Sequence, residues 1–136
     1  MDKEIISNDY VGCIYEIFYK KDPRYKYIGC TRVSLEERFK QHIRSCDNNK
    51  TNKFYKKVKE LGGFTEFEIK IIKKCKTLDD LYNGENYFII ENFNNSEIIC
   101  LNTKLRNRDF KDINNNDDNI IINYDEDGDV IMIDVF

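Results

Sequence analysis

The sequence predicts an α+β domain, a small three-stranded mixed sheet flanked by helices in the order β-β-α-α-β-α. Three observations carry that prediction. Two neighbouring runs are rich in β-branched and aromatic residues and are joined through the chain's one proline; cap residues stand ahead of three stretches of helical periodicity; and one segment between helices alternates strictly between apolar and polar residues.

Val11 to Tyr19 and Tyr25 to Thr31 are the two β-rich runs, and Lys20-Lys21-Asp22-Pro23-Arg24 between them reads as the turn of a hairpin. Ser34 with Glu37 forms the Ser-x-x-Glu signature of a capping box, and Leu35, Phe39 and Ile43 recur at helical spacing to about Cys46. After an Asn-rich loop, Asp47 to Asn52, either Thr51 or Asn52 can cap a second helix whose apolar stripe is Phe54, Val58 and Leu61 and whose end is Gly62-Gly63. In Thr65 to Ile72, Phe67, Ile69 and Ile71 face one way and Glu66, Glu68 and Lys70 the other, the pattern of a half-buried strand. Thr77 with Asp80 opens a third helix carrying Leu81, Phe88 and Ile89, which runs out at Asn94-Asn95; Ile98 to Asn102 follows as a short buried segment.

With 136 residues, 40% hydrophobic and 35% charged, the chain can build one modest core rather than two. No apolar run approaches the roughly 20 residues of a membrane-spanning helix, and the charged start Met1-Asp2-Lys3-Glu4 does not read as a secretory signal. Five cysteines without a Cys-x-x-Cys pair, and one histidine, argue against a disulfide framework or a zinc knuckle, and point to reduced thiols in an intracellular protein. The net charge of -3 averages two unlike regions. From Asp109 onward there are nine acidic residues and one basic, which leaves Met1 to Arg108 with 16 acidic and 21 basic residues, a net of +5. The expected organisation is a basic body over 1–108, a polar linker over 109–119 and an acidic hairpin over 120–136, in which Asp125-Glu126-Asp127-Gly128 makes the turn.

Chemistry-bearing side chains fall on three elements. If the hairpin is centred on Lys21, Tyr15 and Tyr27 face each other; a centre shifted by one residue keeps them on the same face as diagonal neighbours. Arg38 and His42, four apart on a capped helix, share a face. Arginine suits a phosphate because its planar fork donates parallel hydrogen bonds, and histidine can relay a proton near neutral pH. Glu85 lies along the apolar stripe of the third helix, where a carboxylate needs a cation: either a partner Lys or Arg, or a divalent metal completed by water and substrate phosphate.

In order, Cys13-Ile14-Tyr15, Tyr27-Ile28-Gly29, Leu35-x-x-Arg38-x-x-x-His42, Glu85 ahead of Tyr87-Phe88-Ile89, and Leu101-Asn102 together resemble the GIY-YIG nuclease family, most closely its small stand-alone members from large DNA viruses and mobile elements. The resemblance covers roughly Val11 to Asn102, and departs from the motif where Cys13 stands in place of its first glycine. It implies a DNA endonuclease using Mg2+ or Mn2+. Tyr15 would be the phenol nearest the attacking water and Tyr27 its partner; Arg38 would hold the scissile phosphate, with His42 on the proton path. Glu85 would be the protein ligand of the metal and Asn102 the late asparagine near the site. Arg32, Lys40, Arg44, Lys53, Lys56 and Lys57 are the candidate DNA-backbone contacts, which position without reading sequence. A non-catalytic nucleic-acid-binding module, and an interaction domain whose acidic hairpin engages a protein partner or occupies the basic groove in self-inhibition, are the competing readings.

Overall fold

In the computed structural model, residues 9–49 and 51–106 are described, with strands over 120–124 and 130–135. The architecture is α+β. A four-stranded sheet in the order β3-β1-β2-β4 is built from β1 (Gly12–Tyr19), β2 (Asp22–Thr31), β3 (Phe67–Cys75) and β4 (Ile99–Cys100). Helices α1 (Leu35–Asn48), α2 (Lys53–Glu60) and α3 (Leu78–Asn94) complete it. β1 runs antiparallel to both neighbours, and β4 pairs parallel with β2 at Tyr25 and Lys26, so the sheet is mixed but has one strand more than the sequence predicts. A two-residue strand carries no periodicity and reads in the sequence only as a short apolar segment.

The hairpin is tighter than expected. β2 begins at Asp22, so Pro23 lies within the strand rather than in the turn. The register slips there, from Phe18 opposite Lys26 to Tyr19 opposite Asp22, and the proline's missing N–H falls in the irregularity, where it costs no ladder bond. Beyond the slip, Tyr15 stands opposite Gly29 and Tyr27 opposite Ile17, so the two tyrosines are diagonal neighbours on one face rather than a directly opposed pair.

The helices begin where the sequence says. Ser34 Oγ accepts from Glu37 N, Asn52 Oδ1 from Tyr55 N, and Thr77 Oγ1 from Asp80 N. The face α1 turns inward is not the one its apolar residues suggest. Leu35, His42 and Cys46 are buried while Ile43 is exposed, so the histidine occupies a core position.

Two cores result. Cys13, Tyr15 and Ile17 of β1 pack with Leu35, Phe54, Tyr55, Val58 and Phe64 from the α1–α2 side. Ile14 and Ile28 pack with Leu81, Ile89 and Ile90 of α3 on the other side. Two glycines set the close approaches. A Cβ on Gly29 would stand 2.4 Å from the Tyr15 hydroxyl, and one on Gly84 would stand 2.5 Å from Ile14 Cδ1. The first makes room for the phenol, and the second lets α3 lie down on β1 and bring Glu85 with it.

β5 (Ile120–Tyr124) and β6 (Val130–Val135) pair antiparallel as a separate two-stranded ribbon. The linker expected over 109–119 and the acidic turn expected at Asp125 to Gly128 lie outside the described residues. Among the described residues no helix is long and apolar enough to cross a membrane.

Candidate active site

Tyr15 is fully buried, and its ring fills the space left by Gly29 across the hairpin. Its oxygen meets His42 Nε2 at 2.7 Å and accepts from Arg38 Nε at 3.1 Å. The i, i+4 spacing on α1 thus delivers both side chains to one phenol. Arg38 also donates from Nη1 to Gln41 Oε1 at 3.0 Å.

Burial dominates the titration of these groups. It pushes the Tyr15 phenol well above its ordinary value, and the charge and hydrogen bond of Arg38 pull it back only in part. Burial, followed by the Arg38 charge, pushes His42 down to about 3, so the imidazole is neutral at physiological pH. Its Nδ1 lies 2.9 Å from the hydroxyl of Tyr55, a residue that sequence reasoning passed over because its partner is thirteen positions away on another helix.

Tyr27 stacks face to face on Phe54, with centroids 3.9 Å apart and planes 4° from parallel, and meets His42 edge-on at 5.7 Å. Burial, then the charges of Tyr15 and Glu85, raise its phenol above the ordinary value.

Asn102, the late asparagine that the resemblance places near the site, bonds to the backbone of β2. Its Oδ1 accepts from Ile28 N and its Nδ2 donates to Ile28 O, both at 2.8 Å. The amide is used up holding the strand between Tyr27 and Gly29, which makes Asn102 a positioning residue.

Glu85 is buried on α3 between Leu81 and Ile89, as its place in the stripe requires, and its charge reaches both Tyr15 and Tyr27. Its cation is Arg106. The guanidinium donates from Nε to Glu85 Oε1 at 2.7 Å, reaches Cys30 Sγ from Nη2 at 3.3 Å, and lies over the Tyr82 ring at 4.4 Å. The fully buried Asn86 fixes the backbone of Arg106, accepting from its N at 2.8 Å and donating to its O at 3.2 Å. Of the two cations the sequence left open for Glu85, the protein partner is thus present. The one signal that could have found Arg106 is its place among the basic residues that close the body.

Of the expected DNA contacts, Arg32, Lys40, Arg44, Lys53 and Lys56 are exposed and Lys57 is half-buried. Arg44 pairs with Glu37 at 3.4 Å and Lys57 with Glu60 at 2.9 Å, so the charge of these two is partly offset on their own helices.

A guanidinium donating to a phenol, with one carboxylate in electrostatic reach, suits the handling of a phosphate ester. The chain belongs to the GIY-YIG catalytic domain family, whose model matches residues 11–97. Proteins carrying this domain are endonucleases that act on DNA and typically use divalent metals. No curated protein and no solved structure matches the chain.

The residues present restrict the metal. Among the described residues no three His, Cys, Asp or Glu side chains lie together, so a cage of protein ligands is not on offer. Burial, then the charge of Glu85, pushes the Cys30 thiol up to about 12 and keeps it protonated. One hard carboxylate beside a part-exposed arginine fits a hydrated Mg2+ or Mn2+ that draws its other ligands from water and phosphate.

Proposed function

We propose that the chain is a metal-dependent DNA endonuclease that hydrolyses phosphodiester bonds by an attacking water activated at Tyr15. The observation that carries this reading is the convergence of Arg38 and His42 on one buried phenol, with Glu85 close enough to act on that phenol's charge. Arg38 holds the Tyr15 oxygen with Nε and takes a phosphate oxygen with its outer amine, offsetting charge that grows in the transition state. Tyr15 accepts the proton of the attacking water, His42 receives the phenolic proton through Nε2, and Tyr27 closes the wall beside them. Glu85 is the residue that would hold Mg2+ or Mn2+, and when bound the ion supplies electrophilic stabilisation of the phosphate. Arg32, Lys40, Arg44, Lys53, Lys56 and Lys57 are assigned to the DNA backbone, a weak and salt-sensitive contact.

The test is cleavage of supercoiled plasmid and of branched DNA with Mg2+. E85Q and R38A are each expected to lose at least about a hundredfold in rate. A second reading, a non-catalytic nucleic-acid-binding module, draws on the Arg106–Glu85 pair, which neutralises the carboxylate without any metal. Salt-dependent DNA binding with no cleavage under these conditions establishes that reading and removes the first.

A further inference from the structure

We propose that Tyr55 is a positioning residue which, with Ser45, forms the outlet of a proton relay running from Tyr15 through His42. The proposal rests on Tyr15 as the group that takes the water's proton. It starts from a difficulty: Tyr15 lies in the core, where a phenolate is disfavoured, and His42 lies in the core too, where an imidazolium is disfavoured. A proton that arrived and stayed on either would leave a buried charge beside the Arg38 guanidinium. A chain of hydrogen bonds that passes a proton in at one end and out at the other avoids this.

Such a chain of hydrogen bonds runs from Tyr15 through His42 to Tyr55. Tyr15 Oη to His42 Nε2 is 2.7 Å, a length usual for a hydroxyl donor; His42 Nδ1 to Tyr55 Oη is 2.9 Å, usual for a ring N–H donor. Arg38 Nε already donates to the Tyr15 oxygen, so the phenolic hydrogen is the one directed at His42. Every bond then points the same way, from Arg38 to Tyr15, from Tyr15 to Nε2, and from Nδ1–H to Tyr55. Ser45 is exposed, and its hydroxyl is near enough to the Tyr55 phenol to favour that phenol's ionised form. It lines an open surface hollow with Arg44, Asn48, Asn49 and Thr51. Tyr55 therefore joins a buried imidazole to water.

The transfer balances. As the water oxygen bonds to phosphorus and the bond to the leaving oxygen breaks, the water's proton goes to the Tyr15 oxygen and the phenolic proton to Nε2. The Nδ1 proton goes to Tyr55, whose own proton leaves by way of Ser45, and the leaving oxygen takes a proton from solvent. No ring carries net charge at the end, and exchange with water at both ends resets the tautomer. Removing the Tyr55 hydroxyl leaves its packing against Phe54 and Phe64 in place, so Y55F isolates the oxygen.

The chain holds one histidine, so the ring nitrogens of a 15N-histidine-labelled sample belong to His42 without assignment. The wild-type protein is expected to show the Nδ1–H tautomer at neutral pH, and an Nε2–H ring overturns the relay whether or not the variant folds. In Y55F the ring is expected to shift toward Nε2–H. Its cleavage rate should fall about tenfold, a typical loss for an orienting partner of a histidine, and its proton inventory in mixed light and heavy water should lose protons in flight. Tautomer, rate and inventory all unchanged in Y55F also overturn the relay. A chain that cuts no DNA sinks the nuclease reading on which the relay stands, whereas an Nε2–H ring in a chain that cuts sinks the relay alone.

Discussion

His42 shows how one side chain carries a stability consequence separate from catalysis. Its folded pKa is lowered to about 3 from the ordinary 6.5. Between those values the unfolded chain binds a proton that the folded one refuses. The stabilisation is therefore complete above pH 6.5 and lost as pH falls toward 3, at about 1.4 kcal/mol per unit. Lowering the pH from 7 to 4.5 should cost about 2.5 kcal/mol through this residue. The urea midpoint should follow that slope, and H42Q, though less stable at neutral pH, should follow a shallower one. Glu85 gives a second consequence. If Glu85 holds the metal, Arg106 and the divalent ion compete for one carboxylate, and the pair is part-exposed on the arginine side, where such a bridge is worth about 1 kcal/mol. R106A should therefore bind Mn2+ about five times more tightly by electron paramagnetic resonance titration. E85Q should bind it poorly, and if E85Q binds as the wild type does, Glu85 is not the ligand.

At the scale of elements, the asparagine after β4 does what a longer strand would. Leu101 N donates to Lys26 O at 2.8 Å, and the Asn102 amide then satisfies both backbone groups of Ile28, extending the edge of β2 past a two-residue strand. N102A leaves a buried N–H and a buried C=O without partners and should cost about 3 kcal/mol. The midpoint of chemical denaturation measures the loss, and activity should fall with it because the strand carries Tyr27 and Gly29. Much of this was legible in the sequence and some was not, for identifiable reasons. The three caps are local, within three residues of the N–H they serve, and each stands where it was read. Glu85 was legible because a carboxylate inside an apolar stripe demands a cation. The shared face of the two tyrosines was legible, but the choice between opposed and diagonal was not, because the slip at Phe18 and Tyr19 depends on backbone geometry around Pro23, which no pattern encodes. His42 was hidden as a core residue because Ile43 beside it offered a more apolar stripe. Arg106 and Tyr55 were missed because each meets its partner across elements, where spacing says nothing.

For the whole molecule the governing quantity is the split in charge. The body over 1–108 carries +5 and the remainder -8, nine acidic residues against one basic. Attraction between the two, or between the body and DNA, would draw on the same lysines and arginines, so an acidic segment docked on the body would compete with a phosphate backbone. Charges on a tethered segment act at high effective concentration, but their reach in solution is limited to a Debye length of about 8 Å at physiological salt. If the segment occupies the basic surface, removing residues after Phe110 should tighten binding to duplex DNA several-fold at low salt. It should also steepen the dependence of affinity on salt, because counterions are then displaced by DNA alone. Fluorescence anisotropy of a labelled duplex at two salt concentrations separates the outcomes. Tighter, more salt-sensitive binding supports self-inhibition. Affinity and slope equal to those of the full chain discard it and leave the acidic segment to solubility or to a protein partner.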